Sequence, residues 1–301
     1  MTVTVLVCAA VGLGACTGSA EPPEAGDTDP SAVATDGELD QLLVELGEAG
    51  FCDPADVEQD GFVTAMHFVV GGDLQPACFA AGGADDPRLL DAWDAITTVT
   101  PRELYDDVSL LAGYEGCDDC DTLAFVITLD EDASFFLLAV DVQAADQRPD
   151  ELRLTMLHEL SHVITQHPGT QLDATATGPE DCDTYFNGNG CFRPGAHILD
   201  WIDRFWSDGA LAELPEDGSA LADDVALDAC HRTGDFVNAY AATHPEEDFA
   251  EMFSAYVFDV DLSPAFDEKL SFFDEVPEFA EIRRAAIEAG VAGIEADLEG
   301  C

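Results

Sequence analysis

The sequence predicts an α+β protein: a small mixed sheet, then a helix that carries the chemistry, then a mostly helical C-terminal half. Three observations point there. "TLAFVITL" (122–129) and "FFLLAVDVQ" (135–143) are apolar runs of strand length, separated by the acidic turn "DEDAS". Residues 150–166 instead space their apolar positions at the helical period, with Met156, Leu157, Leu160, Val163 and Ile164 on one stripe. From about residue 196 onward the remaining periodic segments all have helical spacing.

Taken in order, "GELDQLLVELGEAGF" has the pattern of an amphipathic helix, and "GFVTAMHFVV" has strand composition. "PRLLDAWDAITTV" and "PRELYDDVSLLAG" each open on a proline suited to a first helical turn, which predicts two short helices. The two clear strands follow, and then the helix at 150–166, with Pro149, Asp150 and Glu151 at its start and Pro168–Gly169 as its stop. Residues 168–195, rich in Gly, Thr and Asp, predict a long loop. Helices are expected at roughly 196–207, 221–240, 245–258 and 277–290. In the 245–258 segment Thr243 and Glu246 suit a capping box, and Phe249, Met252, Phe253 and Tyr256 form a buried stripe. No internal repeat or second linker interrupts residues 36–301, which we read as one domain.

The chain of 301 residues is 47% hydrophobic, which excludes wholesale disorder. It has 63 acidic and 10 basic residues, a net charge of −53, and a single lysine, Lys269. Such a surface repels phosphate backbones and excludes nucleic acid as a partner. It suits a high-salt habitat or a cation-rich envelope surface. Residues 1–15 have the short apolar run of an export signal, and with Cys16 they complete "LGAC" (Leu13 to Cys16), which resembles a bacterial lipobox, although no Lys or Arg precedes the run. That resemblance implies acylation of Cys16, with residues 16–35 as a disordered acidic tether to a membrane. A plain secretory signal is the alternative. Eight later cysteines predict disulfides, and proximity favours Cys52–Cys78, Cys117–Cys120 and Cys182–Cys191, leaving Cys230 for Cys301. The aspartates of "CDDC" would raise a thiolate pKa, so a bridge is preferred there to a redox motif.

"TMLHELSHVITQH" places His158 and His162 about one helical turn apart, so both project from the same face. Glu159 lies about 100° round from His158, near enough to take a proton from water at a bound metal without itself being a ligand. This is the logic of H-E-x-x-H; the alternative is a solvated helical face. Zinc needs a third protein ligand. Thr165 and Pro168 stand where a metzincin needs glycine and histidine, and His167 is one residue out of place. Glu180 is a reserve candidate. Glu247 and Glu251 are stronger, being an i, i+4 pair of acids in a helix that buries its aromatics, and such a pair is costly without cations or donors to face. His67, His197, His231 and His244 read as surface or structural residues.

His158-Glu159-x-x-His162 followed by "EEDFAEMF", with Tyr240 seven residues before Glu247, resembles the gluzincin metallopeptidases of the anthrax lethal factor type and related zinc-binding metallopeptidases among bacterial lipoproteins. The resemblance covers about residues 150–260 and implies a zincin-like fold. It implies Glu247 as the third ligand of one Zn²⁺, Glu251 as the partner of a ligating histidine, and Tyr240 facing the reacting carbonyl. It also implies that the strand before the helix, "FFLLAVDVQ", aligns an extended peptide. The spacing from His162 to Glu247 is longer than in lethal factor, the excess being filled by the loop and the helix near 196–207. The expectation is therefore a monomeric zinc peptidase at the cell envelope, with Glu159 as general base and a peptide or protein as substrate. The competing reading is a non-catalytic lipoprotein with a structural zinc, for which neither Glu159 nor Tyr240 is needed. Nothing in the sequence favours an adhesion or assembly factor.

Overall fold

The computed structural model describes residues 36–57, 61–102, 105–116, 122–130 and 135–301. The chain divides into two units, one ending at Gly50 and the other spanning Phe51–Cys301. The described part of the first is a single helix, α1 (Asp36–Glu48), where an amphipathic helix is expected. The segments read as an export signal and a tether, Cys16, and the expected Cys117–Cys120 pair lie outside the described residues.

The second unit opens with a hairpin of β1 (Phe62–Val70) and β2 (Asp73–Ala80). Gly71 and Gly72 make its turn with φ of 52° and 75°, the left-handed pair that a two-residue hairpin loop demands. Then come α2 (Pro87–Thr97), β3 (Val108–Glu115), β4 (Ala124–Thr128), β5 (Phe136–Asp141), α3 (Val142–Gln147) and α4 (Pro149–Thr165). A two-residue ladder, β6 (Leu172–Asp173) with β7 (Cys191–Phe192), lies in the loop before α5 (His197–Phe205), α6 (Asp208–Leu211) and α7 (Asp223–Thr233). The chain closes with α8 (Pro245–Val257), α9 (Asp267–Asp274) and α10 (Pro277–Ala289). The architecture is α+β, with a helical C-terminal half.

The five-stranded sheet has the order β2-β1-β3-β5-β4. β3 and β5 are parallel, and every other pair is antiparallel. β3 corrects the sequence reading, which made "PRELYDDVSLLAG" a short helix. Pro101 suits a helix start, but Val108, Leu110, Leu111, Ala112 and Tyr114 are all buried; the last four pair with both β1 and β5, and Val108 pairs with Phe136 of β5. A strand covered on both faces is a continuous apolar run, which periodicity cannot tell from a buried helix. Gly113 keeps the layer above close: a Cβ there would stand 2.9 Å from Val142 Cγ1 and 3.0 Å from Thr64 Oγ1. The helix expected over 221–240 covers only Asp223–Thr233, because Gly234 ends it at φ 68°. No capping box opens α8 either. Its N-cap residue is His244, which makes no side-chain cap bond, while Thr243 Oγ1 donates to Tyr240 O at 2.7 Å.

In the helical half, Trp201 of α5, Phe249 and Phe253 of α8, Phe272 and Phe273 of α9, and Phe279 of α10 pack into one aromatic core. A buried ion pair sits within it. Lys269 Nζ lies 2.7 Å from both carboxylate oxygens of Asp248 and donates to Asp235 O at 2.7 Å. Trp201 Nε1 and Trp206 Nε1 donate to Asp248 Oδ2 at 2.9 and 3.1 Å. Burial pushes the Asp248 pKa up, against the pull of Lys269 and the two indoles. Disulfides join Cys52–Cys78, Cys182–Cys191 and Cys230–Cys301, as proximity and elimination predict. They point to an oxidising, extracytoplasmic compartment. Among the described residues no helix is long and apolar enough to cross a membrane.

Removing one partner of a buried pair leaves the other charge uncompensated. Lys269→Met should therefore lower the unfolding free energy by about 3–5 kcal/mol in urea denaturation. A loss below about 1 kcal/mol would show that the pair contributes little.

Candidate metal centre

α4 begins at Pro149, with Asp150 and Glu151 in its first turn, where the helix dipole favours acids. Its apolar side packs into the core, and Leu157, Leu160 and Val163 are fully buried. His158 and His162 are buried as well, on the side that meets α8. α8 brings Glu247 to them.

The three donor atoms form a small triangle. His158 Nε2 lies 2.9 Å and His162 Nε2 3.4 Å from Glu247 Oε2, and the two Nε2 atoms are 3.2 Å apart. Ligands of a tetrahedral zinc at about 2.1 Å stand roughly 3.4 Å from one another, so the triangle fits such an ion with little adjustment. Among the described residues, these three form the one group of His, Cys, Asp or Glu found with metal-binding proximity. On the far side of His158, Nδ1 lies 3.1 Å from Glu251 Oε1. A proton on Nδ1 leaves the Nε2 lone pair facing the triangle, the arrangement a ligating imidazole needs. Among the described residues, His162 Nδ1 has no such partner.

The electrostatics call for a positive charge at this point. Burial opposes protonation of His158, yet the Glu247 and Glu251 carboxylates outweigh it and hold its pKa well above the usual range. His162 is raised too, with burial opposing and Glu247 prevailing. Burial likewise works against the Glu247 carboxylate, but the two histidines pull its pKa well below the ordinary value. A divalent cation would meet the same demand as these protons.

Glu159 is only partly buried, and its Oε2 accepts from Val126 N of β4 at 3.0 Å. Burial raises its pKa, which favours a carboxyl able to exchange a proton. The Tyr240 ring stacks on His158 at 5.8 Å between centroids, with 26° between the planes. Its hydroxyl donates to Glu247, and burial followed by the Glu247 and Glu159 charges raises its pKa. All the residues expected at the centre, Glu251 included, thus meet there.

Among the described residues β4, not β5, lies at an edge of the sheet. β5 is bonded on both sides, by β3 and β4, so it cannot take an added peptide strand. In β4 the flanking groups Leu123 O and Leu129 N bond back to Asp141 N and Phe135 O, at 2.7 and 2.9 Å. By the two-residue period, the backbone groups of Ala124, Val126 and Thr128 point outward, the direction in which Val126 N reaches Glu159.

Other candidates lie elsewhere. Glu180 is exposed and outside the cluster. His167 pairs with Asp107 at 3.4 Å, and His67 is buried in β1 with Nδ1 2.9 Å from Gln75 O. His231 is exposed on α7, and His197 packs against the Phe279 ring. His244 is a structural residue, bonded to Tyr185 Oη at 2.9 Å and paired with Glu246. Sequence reading passed over Asn238, which bonds Glu251; a polar residue two positions before Tyr240 was its only signal.

No protein-family model matches the chain, and no curated protein matches it. One solved structure is similar, a "putative zinc-binding metallo-peptidase" from Bacteroides caccae. It is 15% identical, the match covers 69% of this chain and 68% of that one, and the TM-score is 0.25.

Glu247→Gln should weaken zinc binding at least about tenfold in a chelator-competition titration, whereas Glu180→Gln should leave it unchanged. The reverse pattern would move the third ligand into the loop.

Proposed function

We propose that this protein is a zinc-dependent peptidase of the gluzincin type, with His158, His162 and Glu247 as ligands of one zinc. The observation that carries the reading is the triangle of donor atoms at 2.9–3.4 Å, with Glu159 and Tyr240 beside it. When bound, zinc supplies Lewis-acid polarisation of a carbonyl and lowers the pKa of water. Glu159 takes the proton of the attacking water and passes it to the leaving amine, while Val126 N–H holds the carboxylate in place. Tyr240 O–H turns from Glu247 toward the oxyanion that develops on the substrate carbonyl. The outward backbone groups of β4 other than Val126 N–H align an extended peptide by strand addition. The lethal-factor-like spacing of Tyr240, Glu247 and Glu251 supports the same roles. We further propose that the protein acts as a monomer at the cell envelope, anchored through Cys16 or secreted. The "LGAC" segment and the three disulfides support that placement.

Metal analysis of the purified protein should give about one zinc per chain, and cleavage of a broad peptide library should stop on chelation. Glu159→Gln should keep the zinc and lose nearly all hydrolysis, because Gln cannot accept the proton. Unchanged turnover in that variant would make the zinc structural. Tyr240→Phe should lower kcat by about 10²–10³ with little change in KM or zinc content. Loss of zinc would instead make Tyr240 a ligand or a prop.

A further inference from the structure

Asn238 lies in the segment between α7 and α8 and uses both arms of its amide. Nδ2 donates to Glu251 Oε2 at 2.9 Å, and Oδ1 accepts from Ala241 N at 2.8 Å. The other oxygen of Glu251 faces His158 Nδ1 at 3.1 Å. Ala241 opens the single 3-10 turn that follows Tyr240, whose ring stacks on His158. One side chain therefore touches both supports of the centre: the carboxylate that orients a histidine and the turn that presents the tyrosine.

The backbone fixes Asn238 from the other side. It forms a parallel bridge with Gly300, and Gly300 N donates to Val237 O at 3.0 Å. The next residue, Cys301, is disulfide-bonded to Cys230 of α7. The amide orientation is also determined, since Glu251 needs a donor and Ala241 N–H needs an acceptor.

We propose that Asn238 is a positioning residue: it fixes Glu251 so that His158 keeps its proton on Nδ1 and offers Nε2 to the metal. The inference rests on the zinc reading of the site but not on hydrolysis. The role follows from the order of donors and acceptors in the series Ala241 N–H, Asn238, Glu251, His158. Ala241 N–H donates to the Asn238 oxygen, the Asn238 nitrogen donates to one Glu251 oxygen, and the other Glu251 oxygen accepts from His158. Changing one of the two central side chains without the other breaks that order. Asn238→Asp sets two carboxylates against each other with no donor between them. Glu251→Gln sets an amide nitrogen either against Asn238 Nδ2 or against His158 Nδ1–H.

The double variant N238D/E251Q restores the order. The amide nitrogen now at position 251 donates to the carboxylate now at position 238, and the amide oxygen at 251 accepts from His158. The second carboxylate oxygen at 238 accepts from Ala241 N. The net charge matches the wild type. We expect each single variant to weaken zinc binding by about 10–100-fold in chelator competition, the usual cost of losing an outer hydrogen-bond partner of a ligand. The double variant should return to within about threefold of wild type. Long-range ¹H–¹⁵N spectra of the metal-free protein, recorded at a pH high enough for the His158 ring to be neutral, should show the Nδ1–H tautomer in the wild type and the double variant, but not in E251Q. A double variant that binds zinc no better than the singles, or that fails to fold, overturns the proposal, as does an N238D protein with wild-type affinity. Were the wild type itself to bind no zinc, the site reading would fail, and the tautomer comparison would still decide the role of Asn238.

Discussion

Three consecutive acids open α8, one of them paired at the helix's own N-cap and two with other helices. Glu246 pairs with His244, Glu247 with the two histidines of α4, and Asp248 with Lys269 of α9. Neighbouring residues in a helix point about 100° apart, so the three carboxylates leave the axis in three directions. A buried carboxylate without a partner is costly, and none of these is fully exposed to water. The pairs of Glu247 with α4 and of Asp248 with α9 thereby set the rotation of α8 about its axis: a twist that improved one would break the other. The first helical turn is also where the dipole best tolerates negative charge.

That fixed rotation is what brings Glu247 to the triangle. The aromatic face of α8 packs on the opposite side, where Phe249 and Phe253 meet α9 and α10. Glu251, one turn further on, lands behind His158 and needs Asn238 to complete its bonding. The segment that carries Asn238 is held in turn by the C-terminal residues and by Cys230–Cys301. The centre therefore depends on parts of the chain far from the histidine motif.

The sheet contributes an edge. β4 runs antiparallel to β5 and turns alternate backbone groups away from it, toward α4. The amide of Val126 reaches Glu159 because the strand has no further neighbour on that side among the described residues. The strand nearest α4 in sequence is interior, and the strand before it supplies the free edge.

By itself the sequence determined the local features of this protein. Helical spacing placed His158 and His162 on one face, Glu247 and Glu251 on another, and the aromatics of α8 in the core, because the 3.6-residue period is a property of the chain alone. Short separations pointed to Cys52–Cys78 and Cys182–Cys191, and elimination to Cys230–Cys301. Only the tertiary structure decided the identity of β3 and the edge position of β4, since a doubly covered strand and a buried helix share the same apolar run. It also decided the roles of Asn238 and Lys269. A hydrogen bond from position 238 to 251, or an ion pair from 248 to 269, has no period to betray it. Its partners are chosen by how helices pack, and that is settled only when the whole core closes.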